Sequence, residues 1–131
     1  RAARAGVARF PDHINNMKPA READLVDVVH MLESMERVLE YCERGEASFR
    51  QSRLIQDAVI RNLQTRAESS QRLSDSTKAI ASEVPWRAIS GFRNIIVHDY
   101  LGVDIDMVWQ VVSAELPALQ AQLLKVRAVL I

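Results

Sequence analysis

The sequence predicts an all-α domain, and three observations support that prediction. Only 4 glycines and 4 prolines interrupt the 131 residues, so long stretches of helix-forming residues remain between them. Apolar residues within those stretches recur at three- and four-residue steps, as they do on one face of a helix. The sequence shows no run of the period-two alternation that is typical of strands. We therefore expect a small bundle of four to five helices.

Length and composition favour one folded domain. A chain of 131 residues supports a single hydrophobic core, and a hydrophobic content of 48% is typical of a globular protein. The 17 basic residues balance the 17 acidic ones, so the net charge gives no general sign of nucleic-acid binding. An RNA substrate remains compatible with this balance, because a few local arginines are enough to hold a short segment.

The sequence gives few signs of export or membrane insertion. Cys42 is the single cysteine and lies within a helical pattern, so we interpret it as a core residue of a protein in a reducing compartment. No apolar run approaches the roughly 20 residues that span a bilayer. We find no signal-peptide pattern either, so we expect a cytoplasmic protein without a membrane partner.

The opening segment, residues 1–16, differs from the rest of the chain. It has no clear period and carries Arg1, Arg4 and Arg9 ahead of Met17. One interpretation is a basic arm that contacts RNA. The favoured one is an N-terminal extension outside the native protein, with the native start at Met17. We accordingly assign the helical domain to residues 17–131.

Two long helices are predicted in the first two thirds of the domain. The first runs from about Pro19 to Arg44, with Gly45 just past its end. The stretch SFRQ (Ser48–Gln51) matches a capping box and is expected to open the next helical region. The second long helix covers about Leu54–Ser82. The apolar stripes of the two helices comprise Leu25, Val28, Val29, Leu32, Met35, Val38, Leu39 and Cys42, and then Ile55, Val59, Ile60, Leu63, Ala67, Ser70 and Leu73.

Prolines and a glycine delimit the remaining helices. Pro85 opens a third helix that is expected over Trp86–Leu101, before Gly102. Asp104 is predicted to cap a further helix through about Ala114. Pro117 fits the first turn of a last helix that continues to about Leu130.

The third helix contains the unusually polar stretch RNIIVHDY, residues Arg93–Tyr100. With about 100° per residue, Ile89, Phe92 and Ile96 fall on the core side. Asn94 and His98 lie one turn apart on another side, so the Asn94 amide can orient the imidazole. Arg93 and Tyr100 fall within about 20° of each other.

Arg93 and His98 do not converge on one point of a straight helix. They are separated by about 140° around the axis and about 7.5 Å along it. Three solutions are open: the arginine curls around, the helix loosens near His98, or two copies of the helix meet and share a site. Val97 and Leu101 lie on the same side away from the core, which favours an interface and hence a homodimer.

An arginine beside a histidine resembles the minimum set of groups for RNA cleavage without a metal. A histidine exchanges a proton near neutral pH, and a guanidinium binds phosphate. The alternative is that His98 merely borders a helix end, where a cation is favoured, and spacing alone leaves this the commoner explanation. His13, His30 and His98 are far apart in sequence, and no glycine-rich phosphate loop occurs, so we expect neither a metal nor a cofactor. Trp86 and Trp109 are interpreted as core residues, and Glu33, Glu36, Glu40 and Glu43 as a solvated face.

Beyond the spacing, the sequence resembles a known family. RNIIVHDY reads as R-x4-H-x-Y, the signature of the HepT-like toxins within the HEPN superfamily of ribonucleases. The flanking blocks are also similar, in order: QDAVIRNLQTRAESSQRLS (Gln56–Ser74), VPWRAISGFRNIIVHDYLGVDIDMVW (Val84–Trp109) and LPAL (Leu116–Leu119). The resemblance extends from about Met17 to Leu130. Arg66 departs from it, because relatives usually carry an apolar residue there.

The resemblance implies a function as well as a fold. It implies a dimeric HEPN bundle in which two R-x4-H motifs face each other and act as a metal-independent endoribonuclease toxin. By motif position, Arg93 and His98 are catalytic and Asn94 supports the site. It also implies a type VII antitoxin partner, a minimal nucleotidyltransferase of the MntA type, which transfers AMP to Tyr100. Two alternatives are a non-catalytic HEPN module that binds nucleotides or a partner, and a generic helical dimerisation domain.

Overall fold

The computed structural model describes the backbone of residues 17–98 and 104–131, and the side chains of residues 20–92 and 104–131. Within these ranges every regular element is helical, which confirms the all-α prediction. The elements in chain order are α1 (Met17–Tyr41), α2 (Glu46–Gln51), α3 (Arg53–Gln71), α4 (Asp75–Ile80), α5 (Trp86–His98), α6 (Ile105–Gln110), a π-helical segment (Val111–Glu115) and α7 (Leu116–Leu130).

The four longer helices, α1, α3, α5 and α7, form the bundle. Helix α1 packs against α3 and α7, and α3 packs against both α1 and α5. The apolar stripes predicted for α1 and α3 supply the centre of the core. Side chains with no exposed surface include Val28, Met31, Met35, Val38, Phe49, Val59, Leu63, Ala67, Val108, Leu116, Leu123 and Val126. Burial of these stripes is the main force that holds the helices together.

The second long helix was predicted wrongly as one element. Helix α3 ends at Gln71, and a separate helix, α4, begins at Asp75. The carboxylate of Asp24 in α1 accepts hydrogen bonds from the Ser74 amide at 3.3 Å, the Ser74 hydroxyl at 2.5 Å and the Thr77 hydroxyl at 2.6 Å. The start of α4 is thus satisfied twice: locally, because the Ser74 hydroxyl accepts from the Thr77 amide at 3.3 Å, and by an acceptor from a distant helix.

The predicted capping box at Ser48–Gln51 is also wrong. Ser48 lies inside α2, which begins at Glu46 and has Gly45 as its N-cap without a side-chain hydrogen bond. Gly45 has φ 95°, a conformation that glycine adopts readily. The hydroxyl that caps a helix here belongs to Ser52, which accepts from the Ile55 amide at 3.1 Å and opens α3.

The C-terminal helices agree with the sequence except for one widened turn. Asp104 caps α6 as predicted, because its carboxylate accepts from the amides of Asp106 and Met107. Pro117 lies in the first turn of α7, also as predicted. The π-helical segment ends just before it, and the Leu116 amide donates to the Val111 carbonyl. Pro117 has no amide hydrogen for an α-helical bond to residue 113, which favours this widening.

Candidate functional site

Helix α5 carries the R-x4-H motif, and its first residue is firmly anchored. Pro85 precedes the helix, and the Trp86 indole donates to the carbonyls of Lys78 and Ala81, both at 3.1 Å. Trp86 also packs against the core, as the sequence predicted. These contacts fix where α5 begins relative to the turn after α4.

The packing of α5 against α3 fixes which side of α5 faces inward. Ile89 and Phe92 are only 4% and 5% exposed, which confirms the predicted core side. The hydroxyls of Ser70 and Ser90 lie 3.1 Å apart, and the Gln71 side chain donates to the Ser90 carbonyl at 3.3 Å. A hydrogen-bonded seam thus holds α3 and α5 together next to the apolar contacts.

Helix α5 remains α-helical through His98. Loosening of the helix near His98 was one of the three solutions that the sequence left open, and the backbone between Arg93 and His98 does not show it. The two positions are about 140° apart around the axis and about 7.5 Å apart along it. The Arg93 position falls on the arc between the buried Ile89 and the half-buried Trp86, whereas the His98 position falls on the arc of the exposed Arg87.

The side chains of Arg93, Asn94 and His98 lie outside the described residues, and so does the whole of Tyr100. Their roles as catalytic pair, supporting amide and modified tyrosine stay predictions. What the structure supplies is the position of the helix that carries the first three of them.

The chain after the motif is anchored by an ion-pair bridge. The Arg50 guanidinium in α2 lies 2.8 Å from Glu46 and 2.6 Å from Asp106 in α6. These two carboxylates raise the pKa of Arg50. The bridge ties the start of α6 to α2, on the chain that follows the motif helix.

An unexpected charge lies beside the motif helix. Arg66 of α3 is only 2% exposed, and its guanidinium carbon lies 5.9 Å above the ring centre of Phe92, the residue before Arg93. Its Nε and Nη1 atoms are buried and have no hydrogen-bond acceptor among the residues that the structure describes. Such orphaned donors are uncommon in protein interiors, so Arg66 is the least satisfied buried group that the structure describes in this region.

Burial changes the acid–base behaviour of Arg66. Desolvation lowers the pKa of its guanidinium to about 10, and the carboxylate of Glu115 opposes this shift. The group still carries its positive charge at neutral pH. Helix α3 therefore places a buried cation against the helix that bears Arg93 and His98.

The burial of Arg66 was missed in the sequence, although a signal was present. Residue 66 follows Val59 by seven positions and Leu63 by three, so it falls on the apolar stripe of α3. Its charge led us to treat the position as a departure from the family pattern and not as part of the core.

Other predicted features of the surface and core have clear outcomes. Glu33, Glu36, Glu40 and Glu43 are all exposed, which confirms the solvated face. Cys42 is buried, as predicted, and burial raises the pKa of its thiol. Its thiolate population at neutral pH is correspondingly small.

The described part of the chain has neither a membrane-spanning helix nor a cluster of metal-binding side chains. Among residues 17–98 and 104–131, no helix has both the length and the apolar composition that crossing a membrane requires. In the same residues, no three histidine, cysteine, aspartate or glutamate side chains come together in a way that would hold a metal ion.

Comparison with known proteins gives a consistent family. The family model described as "Ribonuclease HepT-like" matches residues 31–126. "Probable ribonuclease HepT" of Thermococcus cleftensis is 30% identical over 104 residues, which cover 79% of this chain and 90% of that protein. "Gamma-glutamylcyclotransferase and putative RNase MJ0434" of Methanocaldococcus jannaschii is 34% identical over 98 residues, which cover 74% of this chain and 44% of that longer protein.

No solved structure matches the chain significantly. The family match nevertheless covers well over half of the sequence, including α3, the π-helical segment and α5, the helix that carries Arg93 and His98. The chain belongs to the HepT-like ribonuclease family of the HEPN superfamily.

Proposed function

We propose that this protein is a metal-independent endoribonuclease that acts as the toxin of a type VII toxin–antitoxin pair. The observation that carries the proposal is the R-x4-H motif on a continuous helix of a HepT-like domain. Ribonuclease names among the relatives support RNA as the substrate. A cytoplasmic location follows from that substrate.

The active site is composite and belongs to a homodimer. A straight α5 separates the positions of Arg93 and His98 by about 140°, so one copy presents them to different sides. Two copies of α5 that meet along the side bearing Val97 and Leu101 bring the arginine of one near the histidine of the other.

The reaction needs one base, one cation and the ribose 2′-hydroxyl. His98 removes the 2′-hydroxyl proton, and the oxygen attacks the adjacent phosphorus. The bond from phosphorus to the 5′-oxygen breaks, and that oxygen receives a proton from His98, which acts as acid as well as base. Arg93 binds the phosphate and stabilises the negative charge that accumulates on it, while Asn94 orients the imidazole. The products are a cyclic phosphate and a free 5′-hydroxyl.

The partner is a nucleotidyltransferase antitoxin of the MntA type, and Tyr100 is its target. Each AMP adds a phosphate charge and a bulky base close to the motif. Tyr100 follows Arg93 by seven positions, so continued helical geometry would place the modification on the same side, about 10.5 Å away. The nucleotide then occupies the place of the RNA phosphate and repels the substrate.

Cleavage of RNA in the presence of EDTA tests the catalytic assignment. We expect wild type to cut and His98→Ala to lose between about 100-fold and 10,000-fold in rate, because the general base is removed. His30→Ala is the matched control, since His30 is an exposed histidine on α1 far from the motif in sequence. Equal cutting by His98→Ala, or no cutting by wild-type dimer, contradicts the proposal. Binding of RNA without turnover would instead support a non-catalytic HEPN module.

Intact-mass measurement tests the regulation. Protein co-expressed with a nucleotidyltransferase of the MntA type is expected to gain the mass of one or more AMP groups, with loss of RNA cleavage. Tyr100→Phe should abolish the added mass, whereas Tyr41→Phe should retain it, because Tyr41 is a half-buried residue at the end of α1. An inhibited complex with unmodified Tyr100 would point to steric blocking in place of AMP transfer.

A further inference from the structure

One side of α5 extends the His98 position toward the start of the helix. Arg87 precedes His98 by 11 residues, which brings the two positions within about 20° around the axis and about 16.5 Å along it. Asn94 also lies within about 20° of Arg87, and Gly91 within about 40°. Because α5 is one helix from Trp86 to His98, these four positions form a single strip. The strip faces away from the core, since Arg87 is exposed and Gly91 is half-exposed.

Arg87 is an available cation at the far end of the strip. No ion pair of Arg87 occurs within the part of the chain that the structure describes, whereas Arg50 and Arg72 pair with carboxylates. Its backbone is held in place by the anchored indole of the neighbouring Trp86. A fixed helix therefore presents an unneutralised guanidinium to solvent, which suits an external phosphate.

Gly91 leaves the middle of the strip without a side chain. A glycine inside a helix costs stability relative to alanine, so it calls for a reason. Packing does not supply one here, because a Cβ built at Gly91 would meet no described atom within 4 Å. The absence of a side chain leaves the helix backbone open to close approach between Arg87 and the His98 position.

We propose that Arg87 and Gly91 form a second RNA subsite, with Arg87 bound to a backbone phosphate remote from the scissile one and Gly91 giving the strand room to pass. The inference rests on the proposed ribonuclease function and adds a substrate requirement to it. At the stacked-strand spacing of about 3.4 Å per phosphate, 16.5 Å corresponds to about five nucleotides, and to fewer in an unstacked strand. The enzyme therefore prefers single-stranded RNA that extends several nucleotides beyond the cut.

A nested set of RNA oligonucleotides tests this subsite. One set keeps the cleaved step and shortens the 5′ side by single nucleotides, and a second set shortens the 3′ side. With long oligonucleotides, Arg87→Ala should lower kcat/KM roughly 3- to 10-fold through KM, since one charged phosphate contact is lost. With oligonucleotides that end before the Arg87 position, variant and wild type should be equal. The dependence of binding on salt should weaken by about 0.7 in log–log slope for Arg87→Ala.

Arg37→Ala is the matched control for charge. It also removes one exposed arginine, but from α1, where Glu33, Glu36 and Glu40 are exposed nearby in sequence. We expect it to show no dependence on oligonucleotide length. Equal loss for Arg37→Ala and Arg87→Ala, or a loss for Arg87→Ala at every length, overturns the subsite.

Gly91→Gln tests separately whether the RNA strand needs the space beside Gly91. The new side chain has room in the described structure and favours helix, so the melting temperature should hold or rise. Cleavage of long oligonucleotides should fall, and that of short ones should stay near wild type. Unchanged cleavage of long RNA, or loss of the dimer in solution, overturns the role of Gly91. If Arg87→Ala changes only the binding of a protein partner, the subsite is overturned as well.

Wild-type activity separates the two proposals. Failure of wild type to cleave any RNA contradicts the ribonuclease function itself. Cleavage by wild type with no length-dependent effect of Arg87→Ala contradicts the second subsite alone.

Discussion

Asp24 and Arg66 are both charged and almost fully buried, at 4% and 2% exposed, yet their surroundings differ. The Asp24 carboxylate receives hydrogen bonds from the Ser74 amide and from the hydroxyls of Ser74 and Thr77. The Arg66 guanidinium has two nitrogens, Nε and Nη1, that find no acceptor in residues 20–92 and 104–131. Burial by itself therefore does not indicate whether a charge stabilises this fold.

The difference follows from where each residue meets the backbone. Asp24 faces the first turn of α4, where amide groups have no partner within the helix and need an acceptor. Arg66 lies in the middle of α3 and faces Phe92 in the middle of α5. Carbonyl groups within a helix are already used by its own amides, so a buried guanidinium finds few free acceptors there.

The largest expected effect on stability comes from removing the Asp24 carboxylate, which accepts several hydrogen bonds. Asp24→Ala should lower the free energy of unfolding by about 3 kcal/mol, because it leaves one amide and two hydroxyls without their acceptor. Urea denaturation followed by circular dichroism measures this change. Asp57→Ala removes an exposed carboxylate that lies 3.8 Å from Arg53, and it should change stability by a few tenths of a kcal/mol at most. Similar losses for both variants would show that the Asp24 contacts contribute little.

A change in stability of the opposite sign is expected when Arg66 is replaced. Arg66→Met should raise the free energy of unfolding by about 2 kcal/mol, because a flexible apolar side chain replaces an unpaired buried charge. Arg61→Met on the same helix is the control, since Arg61 is exposed and should change little. A loss of stability in Arg66→Met would mean that the guanidinium has a stabilising partner, of which Glu115 is the electrostatic candidate.

The pH dependence of the Arg66 variant sharpens the same test. The pKa of Arg66 is about 10 in the folded protein, well below its ordinary value, so the unfolded chain binds the extra proton more tightly. The destabilisation is thus fully present below pH 10 and diminishes as the pH rises from 10 toward the ordinary pKa of an arginine. The advantage of Arg66→Met over wild type should shrink across that window. If the stability advantage of Arg66→Met did not change with pH, it would not come from the charge of Arg66.

The sequence predicted the helices that have strong periodic stripes and missed the features that depend on other helices. Val28, Met35, Leu63 and Phe92 are buried as their spacing required. The break between α3 and α4 was missed although its N-cap, Ser74, is a local signal; the second acceptor at this break, Asp24, comes from about 50 residues earlier in the chain. The true cap at Ser52 was passed over for Ser48, since both hydroxyls suit a helix start and only the backbone decides between them.

The sequence by itself determined the all-α class, the core stripes, the cap at Asp104, the helix start at Pro117, and the R-x4-H motif with its candidates Arg93 and His98. Local propensity and periodicity encode each of these within a few residues. Only the tertiary structure decided that α3 and α4 are separate and that Arg66 is buried over Phe92. It also decided that, among the described residues, Arg66 lacks acceptors for two nitrogens, Gly91 has open space beside it and Arg87 has no ion pair. Those features depend on which side chains from distant segments meet, and a hydrogen-bond acceptor or an empty space next to a helix is a property of its neighbours.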